Sequence, residues 1–357
     1  MNNRKHAPSA ANGHVNGQSK SQDPTITLSQ QYGGSHVGSW VSRLPSSWVP
    51  YIQLARLSPP AGLFLIYFPH FFGLLLAAIH LQTPLIPFLR SSLALLAGSL
   101  FFSNAAHAWN DVIDAPIDKS VARTRKRPIP RGAISPFAAF VFTITQAAGA
   151  ALILFAFLPH GSVYYALPNV LTTTYYPWAK RHTNFAQLVL GFCLAWGVVI
   201  GSITLGNEPF MYGPFALNQY AGGVLNVDTS ATSLLLACIL WTAIYDTIYA
   251  HQDVKDDTKL GLKSMAVLFR ERTKPVLWGL LFCMLGCLVV VGVNSKMGLP
   301  YFVISLAGCG MSLGAMIRNV ELKDSASCWW WFRYGFWLAG SSMAGGLLSE
   351  YIMRLIY

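Results

Sequence analysis

Residues 232–257 read TSLLLACILWTAIYDTIYAHQDVKDD. Over 232–250 the only charge is Asp246, and the run approaches the twenty or so apolar residues that a helix needs to cross a bilayer core. If the helix continues, Asp246, Asp253 and Asp257 recur at i, i+7 and i+11, on one face, while Asp256 points elsewhere and is expected to be solvated. Eight further apolar segments surround this one, at about 61–79, 93–109, 138–158, 163–177, 185–205, 275–293, 299–317 and 329–352. Only 163–177 needs its flanks to reach spanning length. Backbone groups in hydrocarbon must be satisfied within the segment, so runs of this length predict helices. No ten-residue alternation suggests a barrel. The expected fold is an all-α integral membrane protein of nine transmembrane helices.

Composition agrees. Charged residues make up 11% of the 357, against about a quarter in soluble domains, and 53% are hydrophobic. This excludes a disordered body and argues against a soluble enzyme. The net charge of +11 would suit an anionic partner, but its distribution has a simpler source, and no nucleic-acid partner is expected. With the N-terminus on the cytoplasmic side, 22 of the 25 Lys and Arg fall on that side, and Arg90, Lys296 and Arg354 on the other. Residues 1–48 are Ser-, Asn-, Gln- and Gly-rich with no apolar stretch, so they are no secretory signal; they are expected to be a disordered polar cytosolic tail, with a mitochondrial transit peptide as the alternative. Residues 49–357 are expected to form the membrane domain. The six cysteines form no CxxC pair and read as packing residues.

The positive-inside bias does not account for the aspartates on that same side. A first cluster, Asn110-Asp111-Val-Ile-Asp114-Ala-Pro-Ile-Asp118, follows the second span. On a helix Asp111, Asp114 and Asp118 share a face, Asn110 lies one turn from Asp114, and Pro116 is expected to distort the turn. Carboxylates at this spacing repel, so a cation must offset them. Two such clusters brought together offer oxygen ligands of the kind that Mg²⁺ takes alongside substrate phosphate. Lys119, Arg123, Arg125, Lys126, Arg127 and Arg131 follow the first cluster; Lys180 and Arg181 lie between the two; Lys255, Lys259 and Lys263 attend the second. Metal and guanidinium together suit a diphosphate. Acids at a membrane edge are functional by default. A cation transporter is the alternative of a different class, but its charges would be expected at the midplane in paired repeats, and no repeat is evident.

These motifs resemble the UbiA superfamily of intramembrane prenyltransferases. NDxxDxxxD at 110–118 is similar to the family's first aspartate motif, and YDTxYAxxDxxDD at 245–257 to its second, in the form found in 4-hydroxybenzoate polyprenyltransferases. RLSPPAG at 56–62 resembles the RxxxPxG opening of the first span, RTRKRPIP at 123–130 the RTxxRPxP tail, and YPWAKR at 176–181 the YPxxKR segment. The resemblance covers roughly 50 to 350 and implies nine helices around a central cavity. It implies that Asn110, Asp111, Asp114, Asp253 and Asp257 hold Mg²⁺, with Asp118 and Asp246 as further ligands or their partners. Asp111, Asp114, Asp253 and Asp257 would then be essential to turnover. Arg123 and Lys180 would contact the diphosphate, Arg56 and Arg181 would orient substrate, and Tyr249 would complete the substrate-binding set. The substrates implied are a prenyl diphosphate and a phenolic acid; no obligate protein partner is implied.

The expected chemistry makes an allyl cation in a dry, aromatic cavity. Phe68, Phe72, Trp109, Tyr175 and Trp196 are candidates for its lining. Two branches share the motifs: the mitochondrial enzyme of ubiquinone synthesis, and fungal meroterpenoid enzymes that transfer a shorter chain, often farnesyl. The arginine-poor tail favours the second, in an endomembrane such as the endoplasmic reticulum. Leu57 and Ser58 stand where many relatives carry an acidic and a basic residue, which leaves the aromatic acceptor open.

Overall fold

The computed structural model describes residues 40–210 and 227–356. Most of the expected tail therefore lies outside the described residues. Its end, 40–48, opens with a 3-10 turn, Trp40–Arg43, that buries Val41. The helices among the described residues are α1 (Val49–Leu54), α2 (Ala61–Leu81), α3 (Leu85–Asp118), α4 (Pro136–Phe157), α5 (Ser162–His182) and α6 (Ala186–Ile203). Then come α7 (Thr229–Ala250), α8 (Val254–Lys259), α9 (Met265–Phe269), α10 (Thr273–Asn294), α11 (Leu299–Asn319) and α12 (Ser325–Ile356). The only β pairing among them is an isolated bridge between Phe210 and Val227.

Seven stretches are both long and apolar enough to cross a membrane: α2, α3, α4, α6, α7 with α8, α9 with α10, and α11. The expected nine are thus seven on this joint test. The other two long helices, α5 and α12, have 21 and 32 residues, enough to span at 1.5 Å per residue. They are diluted by polar residues, among them Asn169 and Lys180 in α5 and Arg333 and Glu350 in α12.

Consecutive long helices pack on one another, and α12 returns to α2, closing a ring. At the α2–α6 crossing the two backbones nearly touch. A Cβ on Gly73 would fall 2.0 Å from the Val198 carbonyl oxygen, and one on Gly201 would fall 2.0 Å from that of His70. Small residues allow such approaches in membranes, where packing rather than water exclusion drives helix association.

Helix α3 positions the site by its length. Its 34 residues extend about 50 Å, well beyond a hydrocarbon core of about 30 Å. The surplus turns carry the first acid cluster to one end of the bundle. Pro116 lies inside the helix, which nevertheless continues to Asp118. The acids at the opposite end have structural partners. Asp228 caps α7 by accepting from the Ser230 and Ala231 amides, Glu350 accepts from Gly298 N and pairs with Arg354, and Glu208 accepts from the Tyr165 hydroxyl.

Candidate active site

The two acid clusters, whose nearest members Asp118 and Asp246 are 128 residues apart in sequence, face one cavity of about 240 Å³. Helix α3 contributes Asn110, Asp114 and Asp118; α7, α8 and the turn between them contribute Asp246, Tyr249, Asp253 and Asp257; α5 contributes Tyr176, Lys180 and Arg181. Arg56 enters from the segment before α2, and Arg123 and Arg127 from the loop after α3.

Asp111 is the exception among the expected site residues. The cavity-facing row of α3 is Asn110, Asp114, Asp118, at i, i+4 and i+8, rather than a face containing Asp111. Asp111 is buried behind the wall, 2.9 Å from an Arg56 Nη and 3.1 Å from an Arg127 Nη. The physical reason is the helix angle: each residue turns by about 100°, so Asp111 cannot share a direction with its neighbour Asn110.

Arginines occupy the carboxylates. Arg127 also donates to Asp118 at 2.8 Å, so one guanidinium holds two acids of the first cluster. Arg123 forms a forked pair with Asp253, with Nε–Oδ1 at 2.8 Å, and donates to the Tyr249 hydroxyl at 2.7 Å. Its guanidinium lies 4.9 Å from the centre of the Tyr249 ring, a cation–π contact. Arg181 lies 3.8 Å from Asp114, which also accepts from the Asn110 amide at 3.2 Å. Asp256 is not merely solvated: it accepts from the Ala122 amide at 3.3 Å and so ties the second cluster to the loop that follows the first.

Among the described residues, no three His, Cys, Asp or Glu side chains come close enough to hold one ion. Asn110, Asp111, Asp114, Asp118, Asp246, Asp253 and Asp257 are therefore not a preassembled metal cage. Arg56, Arg123 and Arg127 relieve the repulsion that bare carboxylates would suffer. The oxygen-rich wall nevertheless fits Mg²⁺ with a diphosphate. Asp257 Oδ2 is buried with no hydrogen-bond partner, so the Lys180 charge reaches it only through space. Such an oxygen suits a hard cation that takes its remaining ligands from phosphate.

The aromatic wall differs from the one expected. Phe68 and Phe72 stack on each other in the core, Trp196 packs on Phe192 and Phe210, and Tyr175 stacks on His182. The rings that line the cavity are Phe102, Tyr176, Tyr245, Tyr249, Trp329 and Phe332. Trp109 lines a second, apolar cavity of about 430 Å³ between α3, α4 and α5. Phe102, Ala106 and Thr173 belong to both walls, so the polar chamber adjoins the greasy one. Sequence reasoning missed Tyr176, Trp329 and Phe332 as lining residues. Tyr176 begins the YPWAKR motif and was the legible one; α12, with its run of aromatics, offered no way to choose.

The fold and site are thus an all-helical ring with an acid- and arginine-lined chamber at one end and an adjoining apolar cavity. The sequence matches the UbiA prenyltransferase family over residues 51–340, and the chain belongs to that family. It is an integral membrane prenyltransferase of the UbiA type. It is 37% identical over 294 residues to the mitochondrial 4-hydroxybenzoate polyprenyltransferase of Bos taurus, covering 81% of this chain and 72% of the relative. It is 34% identical over 321 residues to the DMOA farnesyltransferase nvfB of Aspergillus novofumigatus, covering 89% and 96%. Among solved structures, an apo UbiA homolog from Aeropyrum pernix K1 superposes with a TM-score of 0.65 at 19% identity, covering 81% of this chain and 98% of that one. A UbiA homolog from Archaeoglobus fulgidus bound to DMAPP and Mg²⁺ gives 0.56 at 17% identity, covering 81% and 98%. These structural likenesses speak for the fold.

Proposed function

We propose that this chain transfers a short prenyl group, farnesyl in the first instance, from its diphosphate to a ring carbon of a phenolic acid in meroterpenoid synthesis, with Mg²⁺ as cofactor. The observation that carries the reading is the shared chamber: two acid clusters, Lys180 and Arg123 surround one polar space that adjoins an apolar cavity.

Asn110, Asp114, Asp118, Asp246, Asp253 and Asp257 would hold Mg²⁺, with Asp111 acting through Arg56 and Arg127. When bound, the metal neutralises charge on the diphosphate oxygens and makes the diphosphate a better leaving group. Lys180 and Arg123 take up further negative charge as the allylic C–O bond breaks. The faces of Tyr245, Tyr249 and Phe332 stabilise the allyl cation, and the apolar wall keeps water from quenching it. Arg56 or Arg181 orients the acceptor carboxylate. The acceptor ring then bonds to the cation.

The adjoining cavity supports a short tail, because its volume is that of a site for a drug-sized ligand. Placing a ring there should shorten the preferred donor. Ala150→Phe is expected to shift the ratio of kcat/KM from farnesyl towards geranyl diphosphate by about tenfold, roughly 1.4 kcal/mol of differential binding. Initial rates with the two donors give this ratio directly.

The similarity to the bovine enzyme supports a second reading, a 4-hydroxybenzoate polyprenyltransferase of ubiquinone synthesis. Location in an endomembrane goes with the first reading and the mitochondrial inner membrane with the second. In either, α5 and α12 complete a nine-helix membrane domain over 49–357. Membranes containing this chain, incubated with Mg²⁺, prenyl diphosphates of graded length and several phenolic acids, separate the two by product mass. Farnesylated phenolic acid is the expected product; polyprenyl 4-hydroxybenzoate alone would establish the second reading.

A further inference from the structure

His107 lines the reaction chamber one turn deeper in α3 than Asn110, and about 10 Å further along the helix axis than Asp114. It therefore sits beyond the diphosphate end, towards the side where Phe102 and Ala106 lead into the apolar cavity. Its Nδ1 lies 2.8 Å from the Ser103 carbonyl oxygen and 3.2 Å from the Ser103 hydroxyl. A carbonyl only accepts, so Nδ1 carries the hydrogen and Nε2 keeps a lone pair. Among the described residues, nothing hydrogen-bonds to Nε2. The ring rests against α2 at Gly62, where a Cβ would fall 2.4 Å from Cε1 and 2.9 Å from Nε2. Glycine there leaves room for the imidazole, and Ser103 sets its tautomer.

The carboxylates of the chamber, Asp246 among them, belong to the two acid clusters at the diphosphate end. Asp118 and Asp253 are paired with Arg127 and Arg123, and Asp114 accepts from Asn110. The unpartnered oxygen of Asp257 lies in the second acid cluster, at the diphosphate end. His107 is the histidine on the chamber wall among the described residues.

Resting on the transferase reading above, we propose that His107 is the proton acceptor for the phenol. The phenolic O–H proton passes to Nε2. The electron pair of the allylic C–O bond leaves with the diphosphate, and the ring carbon bonds to the allylic carbon, giving a dienone. The hydrogen on that ring carbon is then lost to the departing diphosphate. The ring regains aromaticity, and its oxygen takes the proton back from Nε2. Nothing is oxidised or reduced, and the imidazole ends neutral.

His107→Phe, assayed in membranes with Mg²⁺, farnesyl diphosphate and 4-hydroxybenzoate or another accepted phenolic acid, should lower kcat by about 100- to 10,000-fold. The apparent donor KM should stay within about threefold. Three readouts mark a proton-transfer role. Imidazole added to His107→Ala should restore transfer at least tenfold. A fluorinated phenolic acid, ionised at the assay pH, should lose less than tenfold in His107→Phe. His107→Ala should bind a non-ionising thiolodiphosphate donor analogue as the wild type does. A kcat within threefold of wild type in His107→Phe would overturn the proposal. So would equal losses with the ionised and un-ionised acceptors together with no rescue by imidazole. A wild-type chain that transfers to no phenol would overturn the functional reading, and this proposal with it.

Discussion

Asp253→Asn should cut prenyl transfer by about a thousandfold while the protein remains inserted in the membrane. The substitution keeps the shape of the side chain and removes its charge. Asp253 and Arg123 are 8% and 7% exposed, so the pair is nearly dry, and Arg123 in turn holds the Tyr249 hydroxyl. The exchange removes a carboxylate from the chamber and leaves a buried guanidinium without its counter-charge. Breaking one side of such a pair costs about 3–5 kcal/mol, whereas replacing both partners with neutral side chains is often close to neutral. The double variant Asp253→Asn/Arg123→Met is therefore expected to recover thermal stability in detergent without recovering turnover. Initial rates in membranes and unfolding midpoints of the purified protein separate the two effects. Near-normal rates in the single variant would remove Asp253 from the reaction.

Chelation is expected to have an effect of similar size. With EDTA in excess, transfer should fall at least about a hundredfold, and Mg²⁺ added beyond the chelator should restore it. Ca²⁺ should restore little, because it prefers longer bonds and more ligands than a phosphate-filled site provides. The expectation follows from Asp257 Oδ2, a buried acceptor that no protein donor reaches. It also follows from Asp246, a further chamber carboxylate that no arginine pairs among the described residues. Full activity in EDTA would mean that arginines and Lys180 alone stabilise the leaving group.

Much of the membrane architecture was legible because hydropathy is a local property. The apolar runs, their lengths and the bias of Lys and Arg to one side needed no tertiary information. The count was less secure: α5 and α12 have enough residues to span but carry Asn169, Lys180, Arg333 and Glu350, and apolarity alone does not score them as spans. The site residues were also legible in kind, since acids are rare in this chain and fall into two clusters.

What stayed hidden was direction. Asp111, Asp114 and Asp118 fit a helical face by spacing, yet Asp111 turns away to Arg56 and Arg127. A face is defined by what packs against it, and those partners lie 55 residues before and 16 after. The aromatic wall behaved likewise. Phe68 and Phe72 were as plausible as Phe332, and only the closure of α12 onto α2 and α7 put the one in the chamber and the others in the core.

From its residues alone, then, this protein is a helical membrane protein with two acid clusters and a basic ring on one side, because burial in lipid and charge asymmetry act residue by residue. The folded chain alone decided which carboxylates meet, which arginines hold them, and that His107 lines the chamber beside Gly62. Those outcomes depend on pairs of groups far apart in sequence, and on the few ångströms that Gly62, Gly73 and Gly201 leave between helices.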